Sequence, residues 1–345
     1  MDIYRKIAIL IIVILFSIIL WRLIQRRVEI RNEFVEQFTS TGCADGIQKA
    51  NTLVPKISNM SASYFKKPVN QFYIKSAYGG GFNGTDVCSD MMLYTLSLGY
   101  RYVVINVFYD IVNTPTATPN SPKTAVVGFS STYPMMNNIA GQTMALTEFL
   151  QVIQQNAFSA KSPNPADPFF LHIIPAYQIS GPGDNSNPQE MMGFNTQLNT
   201  QIEQALTILN GSNRTSGPIQ PTTTLDEIQG KFIVVMDKNS TQGNMTDSLK
   251  GMIGLNVPAT DFMMAKALTE KKKPWITVLP FDVAGNLLTS IPNYVDLYST
   301  YKMNSSPVCV WESRFIGGGL MGYSNLGDYE ELFANEGGSA FVPIV

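Results

Sequence analysis

Histidine is nearly missing from this chain of 345 residues, in which His172 is the only one. A metal centre built from several imidazoles is therefore excluded, and so is any mechanism that uses two histidines as general base and general acid. Cysteine is also rare, with Cys43, Cys88 and Cys309 far apart in the sequence. Three cysteines without close spacing form neither a disulfide framework nor a zinc site, so we expect buried free thiols.

Charged residues are scarce as well, at 14% of the chain, and the formal net charge is −2. An average soluble domain has about 25% charged residues. Because the sequence has no basic tract beyond one cluster beside its apolar N-terminal run, we exclude nucleic acid as a partner. A polar but weakly charged surface suits a protein that is packed among other proteins. The hydrophobic content of 45% is typical of a globular chain with a substantial core.

One long apolar run stands near the N-terminus, at residues 7–24, with Ser17 and Arg22 as its polar residues. As a helix it spans about 27 Å, close to a hydrocarbon core of ~30 Å. Large and basic residues follow it instead of a small-residue cleavage site, which favours an uncleaved single-pass anchor over a signal peptide. Two basic residues precede the run, whereas four arginines, Arg22, Arg26, Arg27 and Arg31, lie near its C-terminal end or beyond it, which places the C-terminal domain on the cytosolic side.

The chain also carries seven sequons for N-glycosylation. They are Asn59, Asn83, Asn210, Asn213, Asn239, Asn244 and Asn304. Glycans are added only in a secretory lumen, and sequons arise by chance in a chain rich in asparagine. With the domain on the cytosolic side, we expect these sequons to be unused.

The remaining chain divides into a tail at residues 1–6, a connector at 25–66 and one large domain at 67–345. In that domain short apolar runs alternate with amphipathic ones. Strands are predicted at 71–78, 101–110, 123–131, 168–178, 231–238, 275–282, 307–313 and 339–345, and helices at 86–99, 141–158 and 191–209. This alternation, over roughly 275 residues, predicts an α/β fold of the TIM-type (β/α)8 barrel class. A doubly wound sheet is the alternative, but no GxGxxG motif or P-loop supports a nucleotide crevice.

The first predicted strand runs directly into a glycine-rich loop in "FYIKSAYGGGFNG", residues 72–84. Enzymes often place a reactive side chain at such a break, and here that residue is Tyr78. This stretch, followed by a helix and by "LSLGYRYVVINVFYD", resembles the opening of the catalytic barrel of phosphoinositide-specific phospholipase C. That family reads like "YFISSSHNTYL" and then "GCRCVELDCWDG" in the same places.

The end of the chain supports the same resemblance. "LFANEGGSAFVPI" is similar to the family's closing "LFRQNGGCGYVLKP", and "TYKMNSSP" is similar to its "RxDSSNYNP" stretch. The chain also resembles phospholipase-like proteins of large DNA viruses, whose first motif likewise reads "IKSAY". The resemblance covers roughly residues 67–345.

The resemblance further implies where the family's catalytic groups would lie. Its two catalytic histidines fall on Tyr78 and Val127. Its calcium ligands fall on Gly79, Val104, Asn106 and Ile174. Because valine and isoleucine neither transfer protons nor bind calcium, and tyrosine with a reference pKa of ~10 is a poor base, we expect no catalysis and no cofactor. Lys302 alone keeps the basic character of a position that contacts substrate phosphate.

Other polar residues fit no motif. His172 shares strand parity with Ile174, and we expect it in the barrel interior as a satisfied core histidine. Asp86 and Asp90 are predicted charges at the start of the first helix, whereas Asp110 and Asp282 would line the barrel mouth.

Two hypotheses from different classes follow. In the first, the chain is a membrane-anchored structural or interaction protein with a degenerate phospholipase domain. The viral resemblance then implies a virion protein that links an internal membrane to capsid proteins. In the second, it is a divergent phosphoinositide phosphodiesterase or a lipid headgroup-binding module. Convergence of Lys75, Lys302 and Arg314 on a phosphate-sized pocket would favour this second hypothesis.

Overall fold

The computed structural model describes residues 57–82, 86–113, 118, 120–130, 132, 139–178, 187–237, 245–260, 276–279, 308–309 and 338–343. All of them belong to one unit, Asp45–Val345. The predicted anchor at residues 7–24 lies outside the described residues. Within the described ranges, no helix combines the length and the apolar character needed to span a bilayer.

The elements alternate between strands and helices, as the sequence predicts. The strands are β1 Phe72–Ile74, β2 Ser76–Tyr78, β3 Tyr102–Asp110, β4 Thr124–Phe129, β5 Ala140–Ala145, β6 Phe169–Pro175, β7 Phe232–Asp237, β8 Leu255–Val257, β9 Ala259–Thr260, β10 Ile276–Val278, β11 Val308–Cys309 and β12 Phe341–Pro343. The α-helices are α1 Ser89–Ser97, α2 Leu146–Asn156, α3 Pro188–Asn210, α4 Leu225–Ile228 and α5 Asp247–Met252. Two 3-10 turns, Ala62–Tyr64 and Val69–Gln71, precede β1.

Parallel pairing dominates the sheets. Strands β2, β3, β6, β7 and β8 pair in this order, each parallel to the next. Strands β9, β10 and β11 continue with parallel pairs. Pro258 separates β8 from β9 because proline has no N–H for a sheet hydrogen bond. This succession, with helices between the strands, is an α/β architecture.

Closure of the sheet into a complete barrel is a separate question. Among the described residues β12 pairs with β1, and this pair is antiparallel. The described pairings include none between β11 and β12. The closed barrel therefore stays a prediction.

An antiparallel hairpin, β4 with β5, interrupts the parallel order. Strand β2 pairs with residues 102–104 of β3, and β4 pairs with residues 106–110. Since β6 occupies the other edge of β3, β2 and β4 share one edge and meet end to end. The predicted helix at 141–158 is therefore wrong over its first residues, because these form β5 and the helix begins only at Leu146.

Strand β3 is buried on both faces, as expected for a strand covered by two layers of side chains. Its odd-numbered face packs against helix α3, where the rings of Tyr109 and Phe194 lie 5.3 Å apart. Its even-numbered face carries Tyr102, Val104 and Asn106, and we call this the inner face. Register places Phe170, His172 and Ile174 of β6 beside those three residues on the same face.

The glycine-rich turn after β2 packs tightly against strand β3 and helix α2. A Cβ added to Gly80 would lie 2.5 Å from Cγ1 of Val103, and one added to Gly81 would lie 2.6 Å from Cε2 of Phe149. Phe82, at the end of the turn, stacks on Phe129 with a centroid separation of 4.2 Å. The glycines let the backbone approach these side chains closely, so packing explains them without any ligand.

The last residues of the predicted connector pack against the large domain. The backbone N–H of Ser58 donates to the carbonyl of Gly338 at 2.6 Å. The N–H of Met60 donates to Oδ1 of Asp167 at 2.8 Å. Ile57 is buried, and its side chain occupies the space that a Cβ on Gly99 would need.

Candidate functional site

The residue matched to the first catalytic histidine and three of the residues matched to calcium ligands lie side by side on the inner face. Tyr78 ends β2 and pairs with Val104 of β3. Asn106 stands two residues further along β3 and pairs with Ile174 of β6. Residues paired in parallel strands point to the same face, so these four side chains surround one region at the carboxyl ends of the strands. This is the end at which barrel enzymes build their sites.

Tyr78 is sealed inside this region. Its side chain is buried, and its hydroxyl donates to the carbonyl of Ser130 at 3.3 Å. The same hydroxyl accepts a hydrogen bond of 2.6 Å from Nδ2 of Asn106. Burial raises the pKa of Tyr78 far above its ordinary value, and the bond from Asn106 acts in the opposite direction without cancelling that rise. The phenol therefore stays neutral at physiological pH and cannot act as a general base.

The positions matched to calcium ligands hold no carboxylate. Val104 and Ile174 are apolar and buried, and Gly79 uses its N–H to bond the carbonyl of Val104 at 2.9 Å. Asn106 is buried too, and its Oδ1 has no hydrogen-bond partner in the described part of the chain. Calcium needs six to eight oxygen ligands. In the described ranges, no three His, Cys, Asp or Glu residues are grouped so as to hold a metal ion.

Val127, matched to the second histidine, lies on the other face. Strand β4 is antiparallel to β3, and Val127 stands directly opposite Val107. Val107 has the parity of Tyr109, which packs on helix α3, so Val127 also points outward. On the inner face Asn106 stands opposite Gly128. The structure therefore does not bring Val127 to Tyr78.

His172 faces the interior one level below Asn106, beside Val104. Its Nδ1 lies 3.0 Å from the hydroxyl of Tyr102, which lies 2.8 Å from Oγ1 of Thr277. Its Nε2 has no partner among the described residues, so this core histidine is satisfied at one nitrogen only. Burial lowers the pKa of His172 to about 3 and keeps the ring neutral.

Lys75 lies at the opposite end of the strands. Its Nζ is fully buried, donates to the carbonyl of Leu98 at 2.9 Å and sits 4.6 Å from the centre of the Tyr100 ring. The backbone carbonyl of Lys75 accepts bonds from the N–H groups of Arg101 and Tyr102, at the amino end of β3. Lys75 therefore does not supply the convergence on a phosphate that would favour the second hypothesis. Lys302, Arg314 and Asp282 lie outside the described residues.

The described acidic residues mainly stabilise local structure, through hydrogen bonds to backbone N–H groups or a place in the first turn of a helix. Asp86 accepts a bond of 2.7 Å from the N–H of Gln142 in β5, and helix α1 begins only at Ser89. Asp90 stands in the first turn of α1, as predicted. Asp110 ends β3 and accepts a bond of 2.8 Å from the N–H of Ile111. Sequence reasoning missed Asp237, although an acid directly after the apolar run "FIVVM" is a visible signal.

Asp237 is buried at the carboxyl end of β7, beside β8. Its Oδ1 accepts a bond of 3.0 Å from the N–H of Ala259. This bond lies next to Pro258, where β8 passes into β9. Asp237 therefore joins the end of β7 to the start of β9.

A second buried polar group was also missed, and we call it the Arg101 cluster: Arg101, Ser162, Asn164 and Asp167. Arg101 donates to the carbonyls of Ala157 and Asn164 and to Oγ of Ser162. Asn164 donates to Oδ2 of Asp167 at 3.0 Å. Burial raises the pKa of Asp167 to about 6 and lowers that of Arg101 to about 10. The cluster holds the chain after α2 against the start of β3, away from Tyr78.

The cysteines correct another expectation. Cys88, directly before α1, is disulfide-bonded, so the prediction of free thiols is wrong for this residue. Its partner must be Cys43 or Cys309, the other cysteines of the chain. Neither of those side chains belongs to the described part.

Comparison with known proteins gives the fold alone. No family model matches the chain, and no curated protein matches its sequence. The crystal structure of L. pealei PLC21 aligns with a TM-score of 0.53 and 9% identity, over 81% of this chain and 37% of that one. The crystal structure of S. officinalis PLC21 aligns with a TM-score of 0.52 and 9% identity, over the same shares.

A third solved structure is the calcium-dependent phosphoinositol-specific phospholipase C of a Pseudomonas species. It aligns with a TM-score of 0.40 and 12% identity, over 85% of this chain and 100% of that one. The chain spans little more than a third of the length of the two PLC21 structures. The described part of this chain has a phospholipase C-like α/β fold.

Proposed function

We propose that this protein is a membrane-anchored pseudoenzyme, a phospholipase C-like barrel without catalysis that acts as a structural or interaction protein. The observation that carries the proposal is the environment of Tyr78. At the position matched to the family's first histidine stands a phenol that is buried and bonded by Asn106 and Ser130. A general base needs a titratable group near the working pH that reaches the substrate, and this phenol meets neither condition.

The loss of metal chemistry supports the same proposal. Phosphodiester cleavage gains its rate from charge stabilisation and proton transfer, and each proton-transfer group is worth roughly 10²–10⁴-fold. Val104 and Ile174 offer calcium no oxygen atom, and the amide of Asn106 carries no charge. The inner face of β2, β3 and β6 thus brings four matched positions together, and none of them carries a histidine or a carboxylate.

The proposed membrane location and partners rest on the resemblance and on the apolar N-terminal run. Residues 7–24 would anchor the chain in a bilayer, and residues 67–345 would close into the barrel. The resemblance to phospholipase-like proteins of large DNA viruses implies a virion membrane, with capsid proteins among the partners. A weakly charged surface suits such permanent contacts.

The test uses the full chain in detergent micelles. Calorimetric titration with Ca²⁺ and with inositol 1-phosphate should show no binding heat, and phosphatidylinositol vesicles should not be cleaved. Neither ligand should raise the melting temperature, whereas a ligand present at a hundredfold excess over its Kd adds about 2.7 kcal/mol to the free energy of unfolding.

Positive results would identify the alternative. Cleavage that disappears in Tyr78→Phe would show a divergent phosphodiesterase that uses this phenol. Cleavage unchanged in that variant would place catalysis elsewhere in the chain. Binding of inositol 1-phosphate without cleavage would indicate a headgroup-binding module. Each of these outcomes contradicts the proposed structural role.

A further inference from the structure

We propose that the domain matures in the oxidising lumen of the secretory pathway and that Asn213 carries an N-linked glycan there. The inference concerns the compartment and one modification site, so it goes beyond the proposed function and is independent of whether the domain catalyses a reaction. It starts from the disulfide of Cys88 and from the turn that follows helix α3.

The disulfide is the evidence for the compartment. Cys88 stands between the glycine-rich turn and helix α1, where its N–H donates to the carbonyl of Gly81 at 2.8 Å. It is disulfide-bonded, half-buried and part of the packed domain. Glutathione and thioredoxin keep cytosolic thiols reduced, so structural disulfides form and persist in oxidising compartments.

The basic residues around the apolar run favour the opposite side, but only weakly. Four arginines lie near the C-terminal end of the run or beyond it and two basic residues precede it, a difference of two charges. A bias of this size orients many anchors without determining the orientation. Formation of a disulfide requires an oxidant directly, so the bond at Cys88 is the stronger evidence for the compartment.

In the lumen the sequons become usable, and among the three that the structure describes Asn213 is the best placed. It lies in the exposed turn after α3, in a left-handed conformation with φ of 53°, and its N–H donates to the carbonyl of Asn210 at 3.0 Å. The described residues offer its side chain no hydrogen bond. A glycan on Nδ2 would extend into solvent without breaking a contact, in the kind of surface turn where N-glycans occur.

Two other described sequons are engaged by the fold. Oδ1 of Asn59 accepts a bond of 2.9 Å from the N–H of Ala166. Oδ1 of Asn210 accepts one of 2.6 Å from the hydroxyl of Thr215. Both amides are oriented by these bonds, which makes Asn59 a matched control for Asn213.

The transfer needs a co-reactant, an oligosaccharide linked to a lipid pyrophosphate. A bond forms between Nδ2 of Asn213 and the anomeric carbon of the first sugar, while the bond from that carbon to the pyrophosphate oxygen breaks. The amide loses one proton, and the lipid pyrophosphate leaves with the bonding electron pair. No electron transfer is involved.

The experiment expresses the full chain in a eukaryotic cell and treats it with peptide-N-glycosidase F, followed by mass spectrometry. The enzyme should reduce the mass and convert Asn213 to aspartate. Asn213→Asp should lose one glycan, since aspartate tolerates the left-handed turn but cannot be glycosylated. Asn59→Asp, whose carboxylate still accepts the bond from Ala166, should keep the glycan on Asn213.

The state of Cys88 is read in the same sample. Alkylation without reduction should leave Cys88 unlabelled, and labelling should appear only after reduction. Full labelling without reduction would overturn the proposal. An intact disulfide in a chain without any glycan at Asn213 would overturn it too, because oxidation would then occur outside the lumen or without the modification.

Discussion

The side chain of Tyr78 illustrates what one residue does to this fold. A phenol reaches further than an imidazole, and here its hydroxyl contacts Asn106 and Ser130 while its ring contacts Phe129 edge-on at 5.7 Å. Asn106 depends on this hydroxyl, because its Oδ1 has no partner in the described part of the chain. The two side chains therefore act as one buried polar pair, and removing one partner affects the other.

We expect Tyr78→Phe to lower the free energy of unfolding by about 1–3 kcal/mol, because Nδ2 of Asn106 then loses its acceptor in a buried place. Asn106→Leu removes the orphaned amide together with the bond. The double variant should therefore be more stable than the sum of the two single changes implies, with a coupling of about 0.5–3 kcal/mol. Urea unfolding of the four proteins measures this coupling, and strict additivity would contradict the pairing.

Asp167 gives the second prediction at this scale. Its folded pKa of about 6 lies above the ordinary value of 3.8, mainly because of burial. The folded state thus favours the protonated carboxyl, and the associated stability is present below about pH 4 and lost as the pH rises through the folded pKa. Asp167→Asn removes this titration.

Between about pH 4 and pH 7, the free energy of unfolding of the wild type should therefore fall relative to Asp167→Asn, on the order of 3 kcal/mol. Urea titrations of both proteins at several pH values measure the difference, in which the other titrating groups cancel. A difference that rises with pH would show that attraction to Arg101 outweighs burial.

At the scale of elements, packing of the backbone against side chains and pairing between strands determine the local structure. The turn after β2 brings backbone against the side chains of Val103 and Phe149, and only glycines fit there. Segment 140–145 contains residues compatible with a helix, but it forms β5 because β4 offers it an open edge for pairing. Tertiary pairing overrides local propensity in such cases.

We expect Gly81→Ala to destabilise the protein by about 2–5 kcal/mol, since it combines backbone strain with overpacking. The glycine has φ of 122°, and the new methyl group would lie 2.6 Å from the Phe149 ring. Gly193→Ala in helix α3 is the control, because no atom lies within 4 Å of its added Cβ. It should be neutral or stabilising by about 0.5–1 kcal/mol. Equal melting temperatures of the two variants would refute the packing argument.

At the scale of the whole molecule, covalent and polar links join distant parts of the chain. The disulfide of Cys88 connects the first helix to a cysteine at least 45 residues away, given the positions of Cys43 and Cys309. The Arg101 cluster connects β3 with the chain after α2, and through Asp167 with Met60. Of these links only the disulfide persists on unfolding, so it restricts the unfolded chain as well as the folded one.

Reduction of the disulfide should therefore lower the free energy of unfolding by about 2–4 kcal/mol. Thermal unfolding with and without dithiothreitol measures the effect. Cys88→Ser should behave like the reduced wild type and should not respond to dithiothreitol. If the reductant leaves the melting temperature of the wild type unchanged, the disulfide does not contribute to the stability of this domain.

Much of the sheet could be predicted from local pattern. The apolar runs around Val103, Ile173 and Val234 are buried on both faces, and their strands appear within a few residues of the predicted bounds. The pattern does not report strand direction, so the antiparallel run of β4 and the outward face of Val127 were missed. It also does not report long-range partners, so the disulfide of Cys88 and the Arg101 cluster were missed.

The sequence by itself determined the alternation of strands and helices, and it determined that histidine and carboxylate are missing from the matched positions on β2, β3 and β6. Both follow from residue identity and local periodicity. Only the tertiary structure decided that Tyr78 is sealed by Asn106 and Ser130, that Lys75 lies at the far end of the strands, and that Cys88 is oxidised. These outcomes depend on register and on contacts between residues far apart in the chain, which no local pattern specifies.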